Sequence, residues 1–215
     1  MNRFYFPNAD FKKHPLILTD AKEIHHLINV LRLKKGNSIS IFNQHNEEGE
    51  WIILHLSPHE IAIQINTSRK IAIKFPLITL ACAIPKKSKF ETIIEKATEL
   101  GVHEIIPLKT KRTEIILKGI REEKKIIRFQ TVAINAAKQS KRTHIPHIHP
   151  VTEFPKALQN LIQHSKVIIP SLTGNRIPLM EALHQSKNEN IISFLIGPEG
   201  DFTNEEYKEA HMQGC

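Results

Sequence analysis

The stretch "IISFLIGPEGDFTNEE", residues 191–206, carries the clearest fold signal in the chain. Its first six residues are almost entirely apolar, which is typical of a strand covered on both faces in a parallel sheet. Gly-Pro-Glu-Gly follows directly, and Thr203 with Glu206 then forms a capping box that begins a helix. A strand, a short loop and a helix in this order indicate an α/β fold.

The sequence before this stretch repeats the same alternation. Short apolar runs predict buried strands, and apolar residues at helical spacing predict helices between them. Ser88 with Glu91 forms a capping box for one of these helices, and Gly101 ends it. The predicted strands lie at 77–84, 103–108, 166–171 and 191–196, and the predicted helices at about 88–101, 119–140 and 179–184. We therefore predict a parallel sheet with helices on both faces.

The first seventy or so residues show a different pattern of polar and apolar side chains. Residues 37–42, 50–56 and 60–65 alternate polar and apolar side chains or are rich in β-branched ones, and short polar breaks separate them. This spacing predicts a compact antiparallel barrel or meander. One helix is expected after Asp20, because Ile24 and the following apolar residues have helical spacing until Gly36.

The composition limits the class of protein. The 215 residues include 30 Lys and Arg against 22 Asp and Glu, a formal charge of +8 that favours a polyanionic partner, although a generally basic composition would give the same charge. Two cysteines provide neither a disulfide framework nor a paired-cysteine zinc site. No signal peptide or membrane-spanning run is evident, so we expect a cytoplasmic protein.

The loop Gly197-Pro198-Glu199-Gly200 stands where open α/β folds collect ligands, at the carboxyl end of a strand. It contains neither the Walker pattern with its lysine nor the Gly-x-Gly-x-x-Gly fingerprint of dinucleotide-binding proteins. The backbone N–H and C=O groups of such a glycine loop could bind a neutral heterocycle such as adenine. An ordinary strand-to-helix turn is the alternative.

Two basic clusters could hold RNA phosphates or a base. Residues 135–146 end the long predicted helix, and residues 107–115 follow a predicted strand, where function tends to collect. Cations at a helix C-terminus also stabilise the helix dipole, so a solvated structural role is the alternative for the first cluster. A third group, His144, His147 and His149, lacks a carboxylate or cysteine at ligand spacing, and we expect no metal site.

Four segments in order carry a resemblance to a known family. They are "VLRLKKG" (30–36), "EKATELGVHEIIPL" (95–108), "AAKQSKRTHIPHI" (136–148) and "IGPEGDFT" (196–203), and the opening "MNRFYF" also fits. Together they span nearly the whole chain. The chain resembles the RsmE-type 16S ribosomal RNA uracil-N3 methyltransferases of the SPOUT class.

The resemblance implies an α/β fold in two domains: a PUA-like RNA-binding β-barrel at 1–72, then a SPOUT methyltransferase domain at 73–215 with a C-terminal trefoil knot that this chain would form incompletely. It implies S-adenosylmethionine as methyl donor, 16S ribosomal RNA or the small ribosomal subunit as substrate, and a homodimer. No metal is required.

The resemblance also assigns roles to individual residues. The catalytic group would comprise Arg112, Gln139 and Arg142, facing the RNA or the reacting uridine. The donor-binding group would comprise Ile196, Gly197, Pro198, Glu199 and Gly200, with Leu172 at the end of another strand as a weaker candidate. The RNA-binding group would comprise Arg3, Arg32, Lys34, Lys109, Lys138 and Lys141.

The chain departs from the family pattern at two places. Asp201 replaces the second glycine of Gly-Pro-Glu-Gly-Gly, and we expect it to tune donor binding or to cap the following helix. The family continues beyond "HMQGC" (211–215) through a Leu-Gly-x-Arg-Ile-Leu-Arg-like segment, so we expect a chain that ends there to bind the donor poorly.

Two other functions stay open from the sequence. A non-catalytic RNA-binding remnant of such an enzyme would bind RNA in a salt-dependent way without methyl transfer. An α/β enzyme that binds a nucleotide and a small-molecule substrate is disfavoured, because the chain lacks both phosphate-binding patterns.

Overall fold

A computed structural model describes residues 2–86, 89–114, 117, 119–171, 174 and 176–215. The chain forms two compact units. The first unit contains residues 1–73 and 137–144, and the second contains residues 74–136 and 145–215. Each unit is built on its own sheet.

The first unit has a five-stranded sheet in the order β1-β3-β4-β5-β2. Its strands are β1 (Arg3–Tyr5), β2 (Leu16–Leu18), β3 (Ser38–Phe42), β4 (Glu47–Leu56) and β5 (Ile61–Lys70). All pairs are antiparallel except β1 with β3. Two register shifts, typical of β-bulges, interrupt the pairing of β4 with β5. The predicted β unit is confirmed, with two further short strands that the sequence patterns did not indicate.

The predicted helix of the first unit is shorter than expected and changes type. Helix α1 covers Ala21–His25 and continues as a π-helical turn, His26–Val30. The side chain of Asp20 accepts hydrogen bonds from the backbone N–H groups of Lys22 and Glu23, as the predicted cap requires. Ile24 and Leu27 are both buried, so the wider turn keeps the apolar face in the core of the unit.

The second unit has a six-stranded sheet in the order β10-β11-β6-β7-β8, with β9 also paired to β7. Its strands are β6 (Leu77–Ala83), β7 (Glu104–Lys109), β8 (His147–Ile148), β9 (Thr152–Glu153), β10 (Lys166–Ile168) and β11 (Ile191–Ile196). Every pair is parallel. The predicted parallel sheet is confirmed.

Helices cover both faces of this sheet. They are α2 (Lys89–Leu100), α3 (Ile120–Ser140), α4 (Phe154–His164), α5 (Leu179–Gln185) and α6 (Asn204–Met212). Neighbouring residues of β7 show the two faces: Ile105 packs with Phe90 of α2, whereas Ile106 packs with Phe154 of α4. Strands buried on both sides explain the nearly unbroken apolar runs of the sequence.

Helix α4 was not predicted, although its signal is present. Phe154, Ala157, Leu158 and Leu161 are buried at helical spacing, and Pro155 occupies the first turn, where its missing N–H costs nothing. The predicted cap residue Ser88 lies outside the described residues. Within the described part of the chain, no helix is long and apolar enough to cross a membrane.

Candidate functional site at the carboxyl edge of the parallel sheet

The strand order of the second unit changes direction at β6. The next strand in the chain, β7, lies on one side of β6, and the last strand, β11, lies on the other. Open α/β sheets bind ligands outside the carboxyl ends of the strands at such a point. The loops that follow β6 and β11 flank it, and the second of these is the glycine loop of the sequence analysis.

The glycine loop folds back on itself. The N–H of Asp201 donates to the carbonyl oxygen of Pro198 at 2.9 Å, and Asp201 has a positive φ of 63°. A Cβ atom on Gly197 would lie 3.1 Å from the backbone nitrogen of Phe202, whereas one on Gly200 would lie 3.5 Å from Cδ of Arg112. A methyl group at position 197 would therefore crowd the backbone of the loop itself, whereas position 200 has more room.

Arg112, predicted as a catalytic residue, reaches this loop from the segment after β7. Its guanidinium donates to the carbonyl oxygens of Gly200 and, at 3.3 Å, of Phe202. Charged donors make the stronger hydrogen bonds in proteins. The structure thus brings Arg112 together with the predicted donor loop as a brace for its backbone.

Glu199 connects the glycine loop to the loop after β6. Its Oε1 accepts from the backbone N–H of Lys86 at 3.1 Å. The pKa of Glu199 is lowered, first by a hydrogen bond from its own backbone N–H and also by that of Lys86. The carboxylate therefore stays ionised and acts as an acceptor between the two loops.

Glu206 fixes the other end of the glycine loop, and it was not among the predicted site residues. It is buried, and its two carboxylate oxygens accept from the backbone N–H groups of Thr203 and Lys111 at 2.8 and 2.9 Å. The predicted capping box is confirmed, because Thr203 also accepts from the N–H of Glu206. Thr203 is the N-cap of α6, so the expectation that Asp201 might cap this helix is wrong.

A cavity of about 690 Å³ lies beside these loops in the second unit. Residues from the end of β10, from α5 and from α6 form its wall, including Ile168, Ile169, Pro170, Ser171, Leu179 and Tyr207. The glycine loop itself is not part of this wall. The cavity thus lies at the end of β10, the strand that precedes Leu172, the weaker donor-binding candidate. Leu172 itself lies outside the described residues.

The remaining predicted catalytic residues belong to the first unit. Gln139 and Arg142 are exposed, and the carbonyl oxygen of Arg142 accepts from the guanidinium of Arg3 at 3.2 Å. The same guanidinium pairs with Glu48 at 2.7 Å, where both side chains are about nine-tenths buried.

The predicted RNA-binding residues thus differ in their surroundings. Arg3 and Lys138 take part in ion pairs of the first unit, the latter with Glu23, and Lys109 pairs with Glu153 in the second. Arg32, Lys34 and Lys141 are exposed. Neither Glu48 nor Glu23 gave a sequence signal as an ion-pair partner, because the pairs join residues far apart in the chain.

Two further sets of reactive side chains are the histidines near β8 and the thiol of Cys82. His149 hydrogen-bonds Glu104 at 2.9 Å and its ring contacts that of His147, but the described residues contain no cluster of three side chains suited to a metal ion. Burial raises the pKa of Cys82 to about 12, so its thiol is not a nucleophile at neutral pH.

Comparisons with known proteins agree with this architecture. Residues 74–215 match the family model described as RNA methyltransferase domain, and residues 18–66 match the RNA methyltransferase PUA domain. The ribosomal RNA small subunit methyltransferase E of Bacillus subtilis is 28% identical over 99% of this chain and 86% of its own length. That of Buchnera aphidicola subsp. Acyrthosiphon pisum is 31% identical over 100% of this chain and 79% of its own.

A solved structure shows the same fold. It is the ribosomal RNA small subunit methyltransferase E from Neisseria gonorrhoeae bound to S-adenosyl methionine, with a TM-score of 0.86 and 28% identity over 100% of this chain and 86% of that one. The RNA methyltransferase model covers the whole second unit, and relatives such as the Buchnera protein are matched along the full chain. The protein therefore belongs to the ribosomal RNA small subunit methyltransferase E family.

Proposed function

We propose that the protein transfers the methyl group of S-adenosylmethionine to N3 of a uridine in 16S ribosomal RNA. The observation that carries this proposal is the glycine loop at the carboxyl edge of the parallel sheet. The side chains of Arg112, Glu199 and Glu206 hold the backbone of this loop in place. The loop itself contains no lysine that could bind a phosphate. This loop lies within the residues that match the RNA methyltransferase domain.

The adjoining cavity fits a donor of this kind. Its volume is within the range of small-molecule pockets, about 300–1,000 Å³. Ile168, Ile169 and Ile177 supply apolar surface, while the hydroxyl of Ser171 and the side chain of Gln185 supply polar groups. We propose that this cavity and the backbone of Ile196–Gly200 together hold S-adenosylmethionine. The backbone of Ile196–Gly200 would bind its adenine.

When bound, S-adenosylmethionine supplies an electrophilic methyl group on a sulfonium. The protein's part is to align the base with it and to stabilise the negative charge that develops on the uridine as the N3 proton leaves. We assign the charge stabilisation to Arg142, with Gln139 as a hydrogen-bonding partner of the base. Arg112 acts instead as a positioning residue, because its guanidinium is committed to two loop carbonyls.

RNA binding is assigned mainly to the first unit. Its exposed cations Arg32, Lys34 and Lys141 would neutralise phosphates, and such contacts weaken with salt. We retain the domain division at 1–72 and 73–215, the C-terminal knot and the homodimer as parts of the proposal. They rest on the family to which the chain belongs.

The decisive experiment supplies the protein with labelled S-adenosylmethionine and small ribosomal subunits that lack the modification, and then maps the methylated base. We expect label at N3 of one uridine. Methylation at another atom or only of another RNA would contradict the proposed substrate.

A charge-reversal pair tests the assignment of Arg142. Arg142→Glu should lower transfer by roughly a hundredfold or more while the affinity for the donor stays unchanged. Arg121→Glu is the matched control: this exposed arginine lies in the first turn of α3, where a carboxylate is tolerated by the helix dipole. Wild-type transfer by Arg142→Glu would show that another group carries the charge.

A further inference from the structure

Asp201 occupies the position at which the family pattern has a glycine. Its φ of 63° lies in the left-handed region, which glycine adopts freely and which aspartate adopts more readily than most other residues. The backbone here has a conformation that glycine would also adopt, and the side chain places a carboxylate at the tip of the turn. Oδ1 of this carboxylate accepts from the N–H of Phe202 at 2.8 Å, which holds the side chain in one orientation.

Tyr207 of helix α6 meets this carboxylate. Its phenol oxygen lies 2.8 Å from Oδ1 of Asp201 and 3.4 Å from the carbonyl oxygen of Pro170, and it also hydrogen-bonds the hydroxyl of Ser171. A phenol has one proton to donate, and the shorter, charged contact with Asp201 receives it. The phenol can still accept from Ser171.

One phenol thus connects two segments. Asp201 belongs to the loop after β11, and Pro170 and Ser171 follow β10. Pro170, Ser171 and Tyr207 all line the cavity of about 690 Å³. The connection therefore spans the region between that cavity and the glycine loop, which are the two parts of the proposed donor site.

We propose that Asp201 and Tyr207 are positioning residues, which hold the glycine loop and the end of the β10 segment at the separation that S-adenosylmethionine requires. The inference rests on the proposed function. Two loops held in place before binding lose less conformational freedom when the ligand arrives, so affinity depends on the connection even where its atoms do not contact the donor.

The protonation state of the phenol is compatible with this role. Burial raises the pKa of Tyr207, and the hydrogen bond to Asp201 raises it further. The donating proton is therefore present throughout the neutral range. The ring of Tyr207 also packs against Phe202, with centroids 5.6 Å apart, so replacement by phenylalanine removes the hydroxyl and keeps the packing.

Isothermal titration with S-adenosylmethionine tests the proposal in the full chain. Tyr207→Phe should raise the donor Kd by about fivefold to tenfold, the equivalent of one hydrogen bond, and Asp201→Gly should do the same because glycine keeps the turn. The double variant should bind no more weakly than either single one, since both remove the same connection. Tyr5→Phe, which removes the only other phenol in the chain from the first unit, is the matched control.

The outcomes separate the two proposals. A donor Kd within about twofold of wild type in both single variants, or a change only in the thermal midpoint, would overturn the positioning role and leave the proposed function intact. Absence of donor binding by the wild type would overturn both.

The contact itself has a readout that needs no donor. In the Tyr5→Phe background, the ultraviolet absorbance of the phenolate reports Tyr207 alone. Asp201→Gly should lower the pKa of Tyr207, because it removes the carboxylate that disfavours the phenolate. An unchanged pKa would overturn the proposed connection.

Discussion

Charged side chains make different contacts in two regions of the molecule, around Glu48 in the first unit and around the glycine loop in the second. In the first unit, the carboxylate of Glu48 forms ion pairs with two other side chains, those of Arg3 and Arg69. Around the glycine loop of the second unit, charged side chains hydrogen-bond to the backbone: Arg112 donates to carbonyl oxygens, and Glu206 accepts from N–H groups. An ion pair joins two side chains whose positions other forces determine, whereas a side chain bonded to the backbone of a loop determines the path of the loop itself. The comparison suggests that the site loops depend on a few acidic and basic residues more strongly than the sheet of the first unit does.

The largest effect is expected at Glu206. Glu206→Ala would leave two backbone N–H groups, those of Thr203 and Lys111, without the buried carboxylate that accepts from both, and would remove the capping box of α6, so it should lower the free energy of unfolding by about 3 kcal/mol. Urea denaturation measures this. Glu205→Ala, at the exposed neighbouring position, is the control and should cost less than about 1 kcal/mol. Equal losses in the two variants would show that the contacts of Glu206 with the loop backbone stabilise the protein no more than an exposed carboxylate does.

Arg3 and Arg69 provide a test within the first unit, because both pair with the same carboxylate. The side chain of Arg3 is 11% exposed and that of Arg69 is 75% exposed. Arg3→Ala should cost about 2 kcal/mol of stability, since Glu48 loses its buried partner and the ring of Phe42 loses the guanidinium above it. Arg69→Ala should cost less than about 1 kcal/mol, as exposed ion pairs do. Thermal unfolding of both variants would show the difference, and a larger loss for Arg69 would contradict it.

Gly197 and Gly200 of the glycine loop differ in the space around them and test whether packing of the loop backbone requires glycine. Gly197→Ala places a methyl group against the backbone of Phe202 and should destabilise the protein by about 1.5 kcal/mol, because backbone cannot move aside as a side chain can. Gly200→Ala meets only Cδ of Arg112 at ordinary distance and should be nearly neutral. Denaturation midpoints and the donor Kd of both variants are the measurements. A tolerated Gly197→Ala with a damaging Gly200→Ala would mean that ligand contact, rather than loop packing, selects these glycines.

The smallest effect concerns an ion pair of the second unit away from the loop. A hydrogen bond from Arg128 holds the pKa of Glu91 below its usual value of 4.5. Because the folded-state pKa is lowered, the stabilisation is complete above the unfolded-state value and disappears as pH falls through the lowered one. Glu91→Gln should therefore weaken the protein slightly at pH 7 and flatten the loss of stability in acid. Parallel denaturation curves at neutral and acidic pH measure this, and an unchanged acid dependence would show that other carboxylates control it.

How far the sequence predicted the site varies from residue to residue. The capping box of Thr203 and Glu206 was evident from a spacing of three residues, because capping is local. The second role of Glu206, accepting from Lys111, was not evident, since the two residues are 95 positions apart. Arg112 was identified by its position after a strand, but its loop-bracing contact depends on the neighbouring order of the strands. The RNA-facing roles of Arg142 and Gln139 stay predictions.

The sequence by itself determined the fold class and the family. Apolar runs, helical spacing and caps are local properties, and they record which faces of each element must be buried. The four ordered segments added the family, which the comparisons confirm.

Only the tertiary structure decided what the charged and aromatic residues near the loop contact. The backbone of the glycine loop is held by Arg112 from the segment after β7 and by Glu206 of α6, and its own Glu199 binds the loop after β6. The meeting of Asp201 with Tyr207 and of Tyr207 with the β10 segment likewise requires parallel strands to end at one edge of the sheet. Contacts of this kind follow from strand order in space, and a linear pattern of residues does not contain that order.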